Sequence, residues 1–363
     1  MKKSLVALAI AGAFSGAAFA QSSVSLYGII DGGYQYNDYD RSGAVSGGGI
    51  ESGIRNGSRW GLRGSEDLGG GLKAIFQLES GYSHDTGMSG QGGRLWGRQG
   101  FVGLDSPYGM LAVGRFAMIG SGTGSVDIFS AIDPFYTGYG MAALGSTFTE
   151  AGSVRVDNAV YYRTPKWQGL QGSWMHSFNT NGAETGAPSN NQRMDDVGVS
   201  YSWGPLYAAV TYSITRFQDS RNFDDEKLLQ IGATYDLKFV KLHAAFADEK
   251  APRSQFASAV GNTADGVDAQ AWMVGASIPF GGGDSHFMLS YQDRNGDSKT
   301  IGATHYNADR TVYNLGYEYF LSKRTIAWIY GSVSDGDKTL TDDRAATDFA
   351  NRKQYSIGMT HFF

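Results

Sequence analysis

The sequence predicts an all-β fold: a closed, antiparallel barrel of sixteen strands built to span a membrane. Three observations carry that expectation. Beyond the first twenty residues, apolar and polar positions alternate with a period of two. The breaks between the alternating runs are short and long in turn. The chain also stops inside such a run, at QYSIGMTHFF, with no polar tail after Phe363.

The N-terminal stretch MKKSLVALAIAGAFSGAAFAQ differs from the rest. Lys2 and Lys3 precede an apolar run from Leu5, and Ala18-Phe19-Ala20 precede Gln21. A charged segment, an apolar segment and an A-x-A site together read as an export signal, cleaved after residue 20. The run is too short and too rich in Gly and Ala for a bilayer span, which needs roughly 20 apolar residues. The expected division is a signal over 1–20 and one barrel domain over 21–363.

Composition agrees. There are 52 Gly, 21 Tyr and 20 Phe but only 7 Pro, and no later window approaches a transmembrane helix. An aromatic content of 13% is far above that of a disordered chain. Much Gly and much aromatic residue without long apolar runs suits strands with one greasy and one polar face. The absence of cysteine excludes thiol chemistry and thiolate metal sites. A chain this long can bury enough surface without disulfides. Net charge is −5, and −7 once Lys2 and Lys3 leave with the signal, which argues against nucleic-acid binding.

The strands follow from the period. Leu206, Ala208, Val210, Tyr212 and Ile214 share one face of their run. Leu72, Ala74, Phe76 and Leu78 stand opposite Lys73, Ile75, Gln77 and Glu79. Tyr313, Leu315, Tyr317 and Tyr319 stand opposite Asn314, Gly316 and Glu318. Tight turns are expected where Gly, Pro and Asp gather: 67–71, 106–109, 164–169, 204–205, 237–239, 279–284 and 321–324. Longer polar segments lie between them, as at 40–55, 179–192, 250–265 and 336–351. Counting strands between these breaks gives about sixteen, an even number with turns on one side and loops on the other. A soluble β-repeat would show a motif at fixed spacing, and none is present.

The terminal run then has a reason. Tyr355, Ile357, Met359, His361 and Phe363 fall on one face, with Gln354, Ser356, Gly358 and Thr360 on the other. An open edge in lipid leaves backbone groups unsatisfied at several kcal/mol each. The last strand therefore has to pair with the first, expected over Val24–Gly32.

Rival chemistry finds little support. The six histidines (His84, His176, His243, His286, His305 and His361) are scattered, with no H-E-x-x-H and no G-x-S-x-G. GSGTGS at 120–125 does not sit between a strand and a helix, so it is not a phosphate loop. Asp293–Gly302 lacks the spacing of an EF-hand. No cofactor and no metal site is expected, and an enzyme is not. An adhesin or purely structural barrel leaves the lumen charge unexplained.

Charge sets the candidate site. Arg59 and Arg63 share a face with Gly61, while Trp60 and Leu62 point the other way. A charge facing lipid at mid-bilayer costs about 2–4 kcal/mol, so these arginines belong in the lumen. Arg98, Arg115, Arg155 and Arg163 are further candidates. The longest stretch without a strand pattern runs from Phe116 to Val154 and carries Asp127, Asp133 and Glu150. A loop of that length is usually functional. Phe135, Tyr136 and Tyr139 within it either present a greasy surface to a solute or pack the loop to the wall.

The chain resembles the trimeric general porins of the beta-proteobacterial outer membrane. The resemblance rests on SVSLYGIIDGGYQY (23–36), SRWGLRGSEDLGGGLKAIFQLESGY (58–82), GRQGFVGLDSPYGMLAVGR (97–115), RVDNAVYYRTP (155–165) and the terminal strand. It covers both ends and the first half well; the second half matches mainly in strand rhythm. It implies a homotrimer of 16-stranded barrels, each narrowed by an inward-folded third external loop, here about 116–155. It implies passive diffusion of ions and small hydrophilic solutes. By the family's motifs Arg59, Arg98 and Arg155 form the constriction ladder, flanked by Arg115 and Arg63 and faced by Asp127, Asp133 and Glu150. Phe363 becomes the address read by the barrel-assembly machinery. The other partners implied are outer-membrane lipid and lipopolysaccharide.

Selectivity then follows from rows of charge. The arginines favour anions. The acidic loops at Asp224-Asp225-Glu226 and Asp342-Asp343 oppose them from beyond a Debye length of about 8 Å, where they are screened. The expectation is a weak to moderate anion preference, with a channel selective for an organic acid or other small anion as the alternative.

Overall fold

In the computed structural model the described residues are 23–39, 45–136, 138–144, 147–148, 155–217, 224–250, 268–301, 304–307, 309–336 and 352–363. The expected export signal and Glu150 lie outside them. Strand β1 is Ser23–Tyr39, β2 Gly47–Ser52, β3 Arg59–Gly69, β4 Leu72–Gly81, β5 Gln99–Ser106, β6 Gly109–Ala117, β7 Arg155–Arg163 and β8 Leu170–Ser177. Then come β9 Arg193–Trp203, β10 Leu206–Arg216, β11 Glu226–Asp236, β12 Lys241–Lys250, β13 Ala269–Phe280 and β14 Ser285–Gly296. The short β15 (Ser298–Ile301) and β16 (Thr304–Asn307) form a separate hairpin, followed by β17 Arg310–Ser322, β18 Thr325–Gly336 and β19 Arg352–Phe362.

From β3 onward each strand of the wall pairs antiparallel with the next, and β19 returns to β1, which closes the sheet. The wall has sixteen members because β2 and β3 share one place. β1 pairs with β3 along Ser23–Ile29 and with β2 along Gly32–Asn37. The 40–55 segment is thus not all loop, as its composition suggested: Gly47-Gly48-Gly49 has no alternation to announce a strand, and β1 supplies the partner.

The break between β2 and β3 is held by Asp31. Its carbonyl accepts from Gly53 N at 2.7 Å and from Ser58 Oγ at 3.0 Å, and its carboxylate accepts from Arg55 N at 2.9 Å.

The wall is inside-out, as a barrel in lipid must be. On β19, Tyr355, Ile357 and Met359 are 49%, 57% and 51% exposed, while Gln354, Ser356 and Thr360 are 2%, 4% and 0% exposed. The same alternation runs along β9, β10, β12, β17 and β18. Closed strands satisfy every backbone group without a helix. Among the described residues no helix is long and apolar enough to cross a membrane, which says nothing against crossing by strands.

The buried apolar residues form three clusters, and each joins the wall to the stretch between β6 and β7. One gathers Phe116, Ile119 and Val126 with Tyr161, Met175 and Met194. A second gathers Phe129, Ile132, Leu144 and Phe148 with Ala209, Ala245, Ala271 and Met273. The third gathers Phe135, Tyr139 and Ala142 with Met288, Trp328 and Tyr330.

Candidate functional site

The segment after β6 lies against lumen-facing side chains of β9 through β19. Small residues make room for it. A β-carbon on Gly198 of β9 would meet Ile119 at 2.5 Å, one on Gly232 of β11 would meet Ile132 at 2.6 Å and Phe129 at 3.2 Å, and those on Gly275 of β13 and Gly316 of β17 would meet Pro134 and Phe135 at 2.8 Å each. These glycines form a track along which the loop's apolar side chains reach the backbone of the wall.

Polar contacts fix the loop along that track. Ile119 N donates to Asp196 Oδ2 at 2.7 Å, and Tyr207 Oη donates to Ile128 O at 2.6 Å. His243 Nδ1 lies 2.8 Å from Ile132 O. Gln292 Nε2 donates to Ala142 O, and Arg294 Nη1 to Thr147 O, each at 2.7 Å. Met141 N donates to Gln354 Oε1 at 3.1 Å.

The far end of the loop reaches the break in the wall. Tyr139 N donates to Ile54 O at 2.5 Å, and Tyr139 Oη donates to Glu318. Glu318, fully buried, also accepts Arg55 Nε on Oε1 at 2.5 Å and Arg55 Nη2 on Oε2 at 3.1 Å, with His286 Nε2 2.9 Å from Oε2. A buried carboxylate with this many donors stays satisfied away from water. Losing one partner of such a pair is costly because the other is left buried.

Phe135 and Tyr139 are 0% exposed; their rings meet edge to face, and Tyr139 packs the same way on Trp328 and Tyr330. They hold the loop to the wall and offer no greasy surface. Tyr136 alone of the three stays exposed, with the Arg55 guanidinium 5.3 Å over its ring.

With the loop leaning on β9–β19, the β3–β7 side of the wall carries the arginines. The centre of that group is Glu79, near the end of β4 and 3% exposed. Arg98 Nε donates to Glu79 Oε1 at 2.7 Å, Arg59 Nη1 lies 3.9 Å from the same oxygen, and Tyr27 Oη donates to Glu79 Oε2 at 2.9 Å. Arg155, at the start of β7, lies within the field of Arg98, Arg115, Glu79 and Arg59. Arg115 donates from Nε to Gly97 O at 2.8 Å and from Nη1 to Asp157. Asp157 also pairs with Arg94 at 2.7 Å and accepts from Gly182 N at 2.7 Å, which ties the β4–β5 and β8–β9 loops to the rim.

The structure therefore brings Arg59, Arg98, Arg115 and Arg155 together and sets Arg63 apart. Arg63 is exposed on β3, its guanidinium 5.2 Å over the Tyr27 ring. Four guanidinium groups against Glu79 and Asp157 leave an excess of positive charge, in a place where water is partly excluded and charge acts at longer reach than in bulk.

The loop carboxylates serve its backbone. Asp127 accepts from Gly122 N at 2.8 Å, Phe129 N at 3.1 Å and Ser130 N at 2.9 Å. The protein packed around it pushes its carboxyl up to about 6, against the pull of those amides. Asp133 is 1% exposed and accepts from Phe135 N and Leu144 N at 2.8 Å each. Thr123 and Ser125 provide the loop's contacts to the arginine side: Arg98 Nη2 lies 3.4 Å from Thr123 Oγ1, and Ser125 Oγ donates to Gln99 Oε1 at 2.7 Å.

Glu79 is the residue sequence reasoning missed. Its alternation put it on the polar face with Gln77, but nothing distinguished it from the other acids there. Only the pairing of Glu79 with Gln99 and Gly61 across β3, β4 and β5 places it among the arginines.

The comparisons with known proteins match this architecture along the whole chain. The pattern of the Gram-negative porin family fits residues 6–341. An outer membrane porin protein of Bordetella pertussis is 36% identical, with all of both chains covered. Outer membrane porin protein 32 of Delftia acidovorans is 34% identical over 92% of this chain and 89% of its own. The solved anion-selective porin from Comamonas acidovorans superimposes with a TM-score of 0.72 at 24% identity, covering 94% of this chain and all of that one.

Proposed function

The chain belongs to the Gram-negative porin family, an outer-membrane barrel for passive diffusion of small hydrophilic solutes, and we propose that its pore prefers anions. The observation that carries the preference is the meeting of Arg59, Arg98, Arg115 and Arg155 on the β3–β7 wall with Glu79 and Asp157 as the acids among them. The 116–155 segment, held along the glycine track, narrows the passage from the other side and is the constriction loop. Arg59, Arg98 and Arg155 form its positive edge. Arg115 anchors the rim, and Arg63 lines the lumen beside Tyr27.

Asp127 and Asp133 keep the loop in shape, so the negative charge that tempers the arginines comes from Glu79. Since the loop's Phe135 and Tyr139 are spent on packing, the passage selects by charge and width, which favours general diffusion over one solute.

The assembly is a homotrimer in outer-membrane lipid and lipopolysaccharide, delivered by the signal at 1–20 and inserted by the barrel-assembly machinery through Phe363; these finer points rest on family membership. The chain is a channel and not an enzyme on the same ground.

Planar-bilayer recording of the mature protein under a KCl gradient tests the reading. Conductance in groups of three steps with an anion-selective reversal potential supports it. A cation-selective reversal potential overturns the charge assignment.

A further inference from the structure

Three Asn-Gly pairs occur in the chain: Asn56-Gly57, Asn181-Gly182 and Asn295-Gly296. In such a pair the glycine nitrogen can reach the preceding side-chain amide, because no β-carbon stands in the way. The fold treats the three differently. Gly182 N donates to Asp157 Oδ2 at 2.7 Å, and Gly296 N donates to Asp309 Oδ1 at 3.0 Å. A nitrogen held in this way has to give up a charge-assisted hydrogen bond before it attacks anything. Gly57 N has no hydrogen-bond partner among the described residues. Asn56 and Gly57 lie in the break between β2 and β3, half-buried and so within reach of water.

The surroundings of Asn56 favour the attack. Arg55 Nη1 donates to Asn56 Oδ1 at 2.5 Å. That guanidinium draws electrons from the side-chain carbonyl and stands where the oxyanion of a tetrahedral intermediate would form. Arg59 Nε donates to Gly57 O at 3.0 Å, and a β-carbon on Gly57 would stand 2.9 Å from Arg98 Nη1. Cations around this segment favour the deprotonated amide nitrogen that does the attacking.

We propose that Asn56 is a site of spontaneous deamidation, which places a new carboxylate on the arginine side of the pore. Gly57 N attacks Asn56 Cγ. The N–Cγ bond forms and the Cγ–Nδ2 bond breaks; Nδ2 leaves as ammonia, taking up through water the proton that Gly57 N gives up. Water then opens the cyclic imide. Opening at Cγ leaves aspartate at 56, and opening at the main-chain carbonyl leaves isoaspartate. Either product carries one new negative charge, and nothing is oxidised or reduced. The charge stands beside Arg55 and among Arg59 and Arg98, so ageing of the protein erodes its anion preference. That consequence rests on the function proposed above; the modification does not.

The test incubates the folded mature barrel at mildly alkaline pH in heavy-oxygen water, digests it at acid pH and maps the peptides by mass spectrometry. The chain unfolded in denaturant gives the reference rates. All three asparagines should convert at similar rates when unfolded. In the folded barrel Asn56 should run at least about tenfold ahead of Asn181 and Asn295, whose glycine nitrogens must first break a hydrogen bond to a carboxylate. An Asn56 as slow as the other two in the fold overturns the proposal. Gly57→Ala, whose β-carbon meets only the far end of the Arg98 side chain, should slow conversion at Asn56 alone. An unchanged rate there overturns attack by the nitrogen of residue 57. In planar bilayers Asn56→Asp should lower the chloride-to-potassium permeability ratio about two- to fivefold. Aged parent should move the same way, while aged Asn56→Gln holds its starting ratio. An unchanged ratio in Asn56→Asp overturns the effect on the pore. Peptide masses decide the modification whatever the parent's selectivity, so the two readings fail separately.

Discussion

Gly28 and Phe363 exchange both of their backbone hydrogen bonds, at 3.0 Å each way, and the Phe363 ring fills the place where a β-carbon on Gly28 would stand. The last residue of the chain is thereby part of the wall. The closure sets two requirements at once: an aromatic residue at 363 and no side chain at 28.

Phe363→Ala should cost about 1–2 kcal/mol, below the range for a fully buried Phe because the ring is 43% exposed. Gly28→Ala should cost a similar amount by overpacking against the ring. The two losses share one contact, so the double variant should be more stable than their sum predicts. The midpoint of the heat-induced gel shift reads all three; strict additivity would mean that the ring and Gly28 do not touch.

The glycine track makes a prediction about the loop. A leucine at Gly232 or Gly316 needs the space held by Ile132 or Phe135 and should lift the loop from the wall. Single-channel conductance of either variant should rise above that of the parent, with the barrel still heat-modifiable. Unchanged conductance would place the narrowest point elsewhere.

Glu79 lies between Arg98 and Arg59 and offsets part of their charge. Glu79→Gln removes one negative charge; for an ion passing about 4 Å away, that charge is worth about 1 kcal/mol even at the dielectric of bulk water. The chloride-to-potassium permeability ratio should therefore rise roughly two- to fivefold. A ratio that holds or falls would show that Glu79 is remote from the permeating ions.

Asp127 gives the loop a pH dependence of known sign. Its folded-state value of about 6 lies above the ordinary 3.8, so the fold favours the neutral carboxyl. The stability this contributes is fully present below about pH 4 and is lost as pH rises through about 6. The difference between parent and Asp127→Asn in thermal midpoint should change across pH 4–6 and be flat above pH 7. A difference that is flat from pH 4 to 6 would mean that Asp127 does not link the loop's stability to pH.

How far the sequence could be read depended on whether parity applied. Along β19 the alternation from Gln354 to Phe363 placed every side chain on its correct face, because lipid and lumen impose opposite demands on neighbouring residues. The same parity sent Arg59 into the lumen. It could not rank Glu79 above Gln77, since both occupy the polar face and only cross-strand register separates them. It could not find β2, where three successive glycines carry no pattern, nor tell Gly232 and Gly316 from turn glycines. In the loop there is no parity at all. Asp127 and Asp133 read as facing the arginines because their backbone partners, at Gly122, Phe129, Ser130, Phe135 and Leu144, come from the loop's own path.

On the proposed function, the arginines on the β3–β7 wall set the charge preference of the pore. The reversal potential of Arg59→Gln/Arg98→Gln/Arg155→Gln in a KCl gradient, recorded beside the parent, tests it most directly. A shift from anion preference toward cations is expected, with conductance still present. A triple variant that conducts with the parent's reversal potential would contradict it.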